Sequence, residues 1–378
     1  LSTGLYIHIP FCIRKCHYCD FISLPLNEEE AAHYVSALLK EAQIWAGMLI
    51  PEQRVLDSVY VGGGTPSCLP GDSLTALLES ILAFFNLSSG AEITVEANPG
   101  TVDTKKMISY RKSGVNRISM GFQSCQQDLL DTLGRIHNFS QAREAFGEAR
   151  RAGFDNINID LIFGIPGQTT GQWESCLKAV EDLRPEHISA YSLQLEGGTP
   201  LYDRVGRGSL LQCPEDTEAE MYELLMDFLK EKGYLHYEIS NFALPGRACR
   251  HNLRYWRGGD YLGLGPSAHS YLGGRRFSNR PDLKGYTESI ESGRLPVDWE
   301  EEVDLSTAMS EAVFLGLRLI EGMDTGEFRE RFGREIEDVY GEPVRRLERQ
   351  GLINLEGGFL RLTRRGLMLG NRVFAEFV

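Results

Sequence analysis

The chain has 378 residues, 39 Lys plus Arg against 53 Asp plus Glu, a formal net charge of −14 and 42% hydrophobic residues. That length has room for two or three domains and a sizeable core, and the acidic balance argues against broad nucleic-acid binding. No run of about 18 apolar residues predicts a membrane span, and the first residues lack the basic-then-apolar layout of a secretion signal.

In chain order, a short apolar strand at Leu5–Ile9 runs into Cys12, Cys16 and Cys19. The string is Tyr6-Ile-His-Ile-Pro-Phe-Cys-Ile-Arg-Lys-Cys-His-Tyr-Cys-Asp-Phe21, a C-x3-C-x2-C spacing. Three thiolates on one tight loop can hold three irons of a [4Fe–4S] cluster and leave the fourth iron open to an outside ligand. Zinc is the bland alternative. It prefers four ligands, and no second C-x2-C knuckle exists, although His8 or His17 would make a fourth. The other five of the eight cysteines are scattered singly, which suits a reducing cytosol and a cytoplasmic protein.

Apolar strand-like runs then alternate with amphipathic helix-like runs. Strands are predicted at Leu5–Ile9, Ser58–Val61, Glu92–Glu96, Arg117–Met120, Ile157–Ile162 and His187–Leu193. Helices are predicted at Glu28–Ala46, Ser73–Phe85, Thr104–Ser113, Ser140–Ala152 and Thr170–Leu183. Six strands in such a series imply a parallel sheet with right-handed crossovers. Six units are too few for a closed eightfold barrel. The predicted fold class is therefore α/β, a partial (β/α)6 TIM-like barrel over residues 1–210 with its chemistry at the C-terminal strand ends.

Marked residues sit at those ends. Gly62-Gly63-Gly64-Thr65-Pro66 follows the second strand, where glycine lets backbone approach a ligand closely. Glu96 ends the third strand, Gln123 the fourth, and Arg135 follows soon after. Asp160 lies inside the apolar fifth strand and must be paired or face a polar site, with Arg135 as one partner. Tyr6 and Tyr18 flank the cysteines, and alternation turns His8 away from Ile7 and Ile9.

Residues 211–300 form a Gly- and aromatic-rich connecting region after a helix at Glu215–Lys232. It holds His251-Asn-Leu-Arg-Tyr-Trp256. That histidine is a buried structural residue or an axial haem ligand with aromatics to pack the porphyrin. Residues 301–378 read as helices at Leu305–Ile320, Thr325–Phe332 and Glu335–Gln350. A hairpin follows over Leu352–Leu355 and Phe359–Leu362, then a final helix from Thr363, a winged-helix-like module. From Glu301 on there are 11 Arg, no Lys and 15 Asp plus Glu, the wrong sign for DNA.

The cysteine loop, Gly62-Gly63-Gly64-Thr65-Pro66, the Gln and Arg positions, the strand Asp and the C-terminal module together resemble the radical SAM family. The resemblance covers residues 4–378 and points to the group holding oxygen-independent coproporphyrinogen III dehydrogenase and the HemW-type haem chaperones. The dehydrogenase has a further cysteine two residues after the third cluster cysteine, where this chain has Phe21. It also has a long extension ahead of its first strand, for which a strand at Leu5 leaves no room. The His-Asn-x-x-Tyr-Trp string is carried by the chaperone branch. The resemblance implies a [4Fe-4S] cluster on Cys12, Cys16 and Cys19. S-adenosylmethionine would be seated by Tyr6, Tyr18, Gly63, Gly64, Thr65, Glu96, Gln123, Arg135 and Asp160, and haem would meet His251. It further implies transfer of haem to an acceptor, a haem-dependent respiratory protein, with any membrane contact made through a partner. The alternatives it leaves open are enzymatic: oxidative decarboxylation of coproporphyrinogen III, or modification of haem.

Overall fold

The computed structural model describes residues 2–378. Six parallel strands lie side by side in sequence order: β1 Thr3–Ile9, β2 Val55–Gly63, β3 Asn86–Ala97, β4 Arg117–Gln123, β5 Ile157–Phe163 and β6 His187–Ser192. Apart from Leu87 and Tyr191, their aliphatic and aromatic residues are largely buried, as a sheet covered by helices requires. The intervening helices are α1 Glu28–Met48, α2 Ser73–Leu82, α3 Thr104–Lys112, α4 Gln127–Leu133, α5 Phe139–Arg151 and α6 Thr170–Glu181. Local chemistry sets several starts. Asn27 and Asp103 cap α1 and α3, and reciprocal boxes at Asn138 with Gln141 and Thr169 with Gln172 cap α5 and α6. The strand order and helical crossovers are those of the predicted partial barrel.

Three differences from the sequence reading are informative. β3 begins at Asn86, six residues before the apolar run, because the exposed Leu87 and Gly90 stretch carries no alternation. The short helix α4 was not foreseen. The first C-terminal helix ends at Gly316 rather than Ile320, because the chain turns to bring Leu319 against Glu238.

The stretch between residues 211 and 300 enlarges the sheet at both edges. Asn241–Ala243 pairs antiparallel with β6 and is followed outward by Leu235–Glu238. Tyr261–Leu264 pairs parallel with β1, and His269–Leu272, Arg275–Asn279 and Val297–Glu302 continue from it. The result is a twelve-stranded sheet whose last strand, Val297-Asp-Trp-Glu-Glu-Glu302, is largely exposed.

The C-terminal segment has its own core, around Val313, Phe328, Leu347 and Leu360. Helices Leu305–Gly316, Thr325–Phe332 and Ile336–Arg349 precede the Ile353–Glu356 and Phe359–Leu362 hairpin, which Met323–Asp324 extends to three strands. Backbone bonds from Ile239 to Arg318 and from Ile320 to Tyr237, both 3.1 Å, stitch this module to the sheet edge. Arg318 also lies 4.2 Å over the Trp256 ring. Among the described residues no helix is long and apolar enough to cross a membrane.

Candidate functional site

The cysteine loop leaves β1 and is held at its base by parallel pairing of Phe11–Cys12 with Leu24–Pro25. The glycine turn after β2 is sewn to it: Gly64 N–H donates to Ile9 O at 2.9 Å and Thr65 N–H to Phe11 O at 2.7 Å. This approach requires glycine. A Cβ on Gly64 would stand 2.7 Å from Phe11 O, and Gly63 adopts φ +107° with the His8 ring 2.5 Å from where a Cβ would sit. On its other side, the loop's His17 N–H reaches Leu133 O at the end of α4, at 2.9 Å.

Beyond the strand ends a cavity of about 490 Å³ is lined by Cys12, Cys16 and Cys19 and by Tyr18, Gly63, Gly64, Thr65, Glu96, Gln123, Arg135 and Asp160. Eight of the ten residues expected to seat cofactors thus share one cavity with the three thiols. Cys12 Sγ lies 3.4 Å from Thr65 Oγ1, and Arg135 Nη1 donates to Cys16 Sγ at 3.4 Å. Arg135 and Asp160 are not a pair. Arg135 also donates to Gly121 O at 2.8 Å and to Asn98. Asp160 accepts from Ser119 Oγ at 3.0 Å and Asn158 Nδ2 at 2.8 Å. Burial, opposed by those hydrogen bonds, pushes its carboxyl above the usual range.

Glu96 is pushed up to about 7, first by burial and then by the neighbouring Asp160 charge, while the Tyr60 hydroxyl donates to it at 2.9 Å. Burial also raises the Cys12 thiol and takes Cys19 up to about 11. Both must lose a proton to bind iron, so loading releases protons. Gln123 holds φ +66°, a conformation rare for a residue with a side chain, at the mouth of β4. Among the described residues no three His, Cys, Asp or Glu converge on one ion.

Tyr6 and His251 lie outside this cavity. Tyr6 stacks on Tyr60 with centroids 6.4 Å apart and stands one ring behind the wall. His251 is 1% exposed, and both ring nitrogens are engaged: Nδ1 with Ser58 Oγ at 3.1 Å and Nε2 with Tyr255 Oη at 2.8 Å. Ser58 precedes Gly63 by five residues, roughly 16 Å of strand, so His251 sits at the far end of β2 from the thiols. The expected iron contact thus has no open nitrogen in this arrangement. Burial, with the Arg254 charge, takes its imidazole down to about 3. His8 is likewise satisfied, between Tyr6 Oη at 3.0 Å and Ile22 O at 2.9 Å.

Asn98 was missed. Its side chain joins Thr65 Oγ1, at 2.8 Å, to Arg135 and so ties the turns after β2 and β3 to the cysteine loop. Its only sequence signal is a polar residue just past a strand end.

Two family models match the chain, one described as the radical SAM superfamily over residues 6–180 and one as the HemN C-terminal domain over 303–369. A heme chaperone HemW of Bacillus subtilis is 37% identical over 99% of this chain and 98% of its own length. The Escherichia coli heme chaperone HemW is 34% identical, over 99% and 98%. A mitochondrial radical S-adenosyl methionine domain-containing protein 1 of Danio rerio is 33% identical, over 97% and 83%. In fold the chain is similar to the coproporphyrinogen III oxidase HemN of Escherichia coli, with a TM-score of 0.87 and 22% identity over 100% of this chain and 89% of that one.

Proposed function

The chain belongs to the radical SAM superfamily, within the HemW-type heme chaperones, and from that membership we propose that it binds haem and passes it to an acceptor protein. The acceptor class that fits is a haem-dependent respiratory protein. In this reading Cys12, Cys16 and Cys19 hold a [4Fe-4S] cluster, and the strand-end groups seat S-adenosylmethionine. The observation that carries the cofactor part is the meeting of three thiols with Glu96, Gln123, Arg135 and Asp160 around one cavity.

When bound, cluster and S-adenosylmethionine supply one-electron chemistry or a ligand-dependent check on assembly. The chain's own residues bind and orient. Arg135 offsets the negative charge of thiolates around Cys16. Gly63 and Gly64, lacking side chains, let the turn pack against the cysteine loop beside the ligand, while Asn98 fixes Thr65 and Arg135 relative to one another. Phe21, 63% exposed, stands where the dehydrogenase has its extra cysteine and favours a carrier over a decarboxylase.

The test is a haem titration of anaerobically reconstituted protein, with tetrapyrrole product analysis on the same sample. Stoichiometric binding of intact haem, with coproporphyrinogen unconverted, supports the carrier. Decarboxylated porphyrinogen, or haem loss with release of 5′-deoxyadenosine, makes the protein an enzyme.

A further inference from the structure

A second cavity, about 740 Å³, lies between the sheet around Tyr261–Leu264 and the first helix of the C-terminal module. Its size is within the ~300–1,000 Å³ usual for small-molecule sites. Tyr6, Tyr255, Trp256, Tyr261, Tyr271 and Phe314 line it, giving a flat apolar ligand aromatic faces to pack on. Arg331 lines it too, and no carboxylate pairs with that guanidinium among the described residues. It is available for an acidic group on a ligand.

His269 completes the lining. Of the eight histidines, the other seven each have a ring nitrogen in a hydrogen bond. His269 alone has none among the described residues. It is exposed on the strand His269–Leu272, two residues after Ser267, which holds φ +59°. Strained backbone of this kind gathers at sites that bind. Partial desolvation by the cleft around the ring, with the Arg276 charge, lowers the His269 pKa, which favours the neutral imidazole that can donate a nitrogen lone pair.

We propose that haem binds in this cleft with His269 as an iron ligand and Arg331 facing a propionate, and that His251 is a positioning residue acting through Tyr255. The assignment rests on the haem-carrier reading. His251 Nε2 holds the Tyr255 hydroxyl at 2.8 Å, and the Tyr255 ring meets Tyr261 edge-on at 4.6 Å. The histidine therefore shapes the cleft wall from behind.

The test compares wild type, His269→Ala, His269→Gln and His251→Ala, each as the full chain with its cluster reconstituted. Ferric haem is titrated optically and by electron paramagnetic resonance, and metal-free protoporphyrin IX by tryptophan fluorescence. Both His269 variants should lose the histidine-ligated iron spectrum and weaken haem binding roughly tenfold or more, while keeping protoporphyrin affinity, because the metal-free ring needs the cleft but no ligand. His251→Ala should weaken both ligands and keep the iron spectrum. Unchanged haem affinity and spectrum in the His269 variants overturns the assignment and leaves the carrier reading standing. Loss of the histidine signature in His251→Ala alone returns the iron to His251, and equal loss of haem and protoporphyrin in the His269 variants reduces His269 to a wall residue. A wild type that binds no haem overturns the carrier reading itself.

Discussion

At the scale of single residues, the first cavity is governed by one carboxyl poised near neutrality. Burial and Asp160 hold Glu96 protonated up to about pH 7, and a ligand with a permanent positive charge, such as a sulfonium, favours the carboxylate. Affinity for S-adenosylmethionine should therefore rise as pH climbs through about 7, and Glu96→Gln should flatten that dependence. Calorimetric titration between pH 6 and 8 measures it; an equal slope in the variant would separate Glu96 from binding. Glu41 also titrates at about 7, but it is buried against Tyr286, Asn279 and the Gly265 amide, away from the cavity. The thiols were legible because a three-cysteine spacing after a strand has few uses. Asn98 was not, because small polar residues end most strands. His251 was legible as a motif but not as a contact: Ser58, which fixes one nitrogen, is 193 residues away.

At the scale of elements, the join between the cysteine loop and the glycine turn is the tightest packing at the site. Gly64→Ala should cost about 1–3 kcal/mol, as overpacking does, and should lower iron incorporation, because the methyl must push Phe11 O and Ile9 O apart. Chemical denaturation and iron content per chain report the two effects; wild-type values in both would mean that the turn yields freely. The barrel strands and long helices were readable because each carries several periods of apolar repetition. The edge strands between Leu235 and Asn279 were not. They are three to five residues long, too short for period two to stand out from a Gly- and aromatic-rich background. That same stretch meets the first strand, the cysteine loop and the C-terminal module in the second cavity's wall, so the cleft is invisible in sequence even where its residues are conspicuous.

At the scale of the whole molecule, the C-terminal module closes one side of that cleft, and Arg318 is one of its anchors. The guanidinium covers Trp256 and lies 3.8 Å from the buried Glu238, whose carboxyl burial pushes upward. Arg318→Ala should cost roughly 3 kcal/mol by leaving that group without its cation, and should expose the chain near Val303 to protease. Unaltered proteolysis would show the backbone stitches alone suffice. The exposed pair of Arg364 with Asp227, at 2.7 and 2.8 Å, is worth far less. The outermost strand, Val297–Glu302, has a different consequence. An open sheet invites a neighbouring chain to add its own strand, and here two of the four carboxylates in that row, Asp298 and Glu302, can be changed while Glu300 and Glu301 keep their contacts with Arg275 and Arg276. Replacing those two with threonine should make the protein scatter more light on warming than the unaltered chain does, and equal scattering would show that the charges play no such part. An acidic margin of this kind sets a crowding limit on the molecule: the charge that opposes a passing strand is written into a strand with an open side.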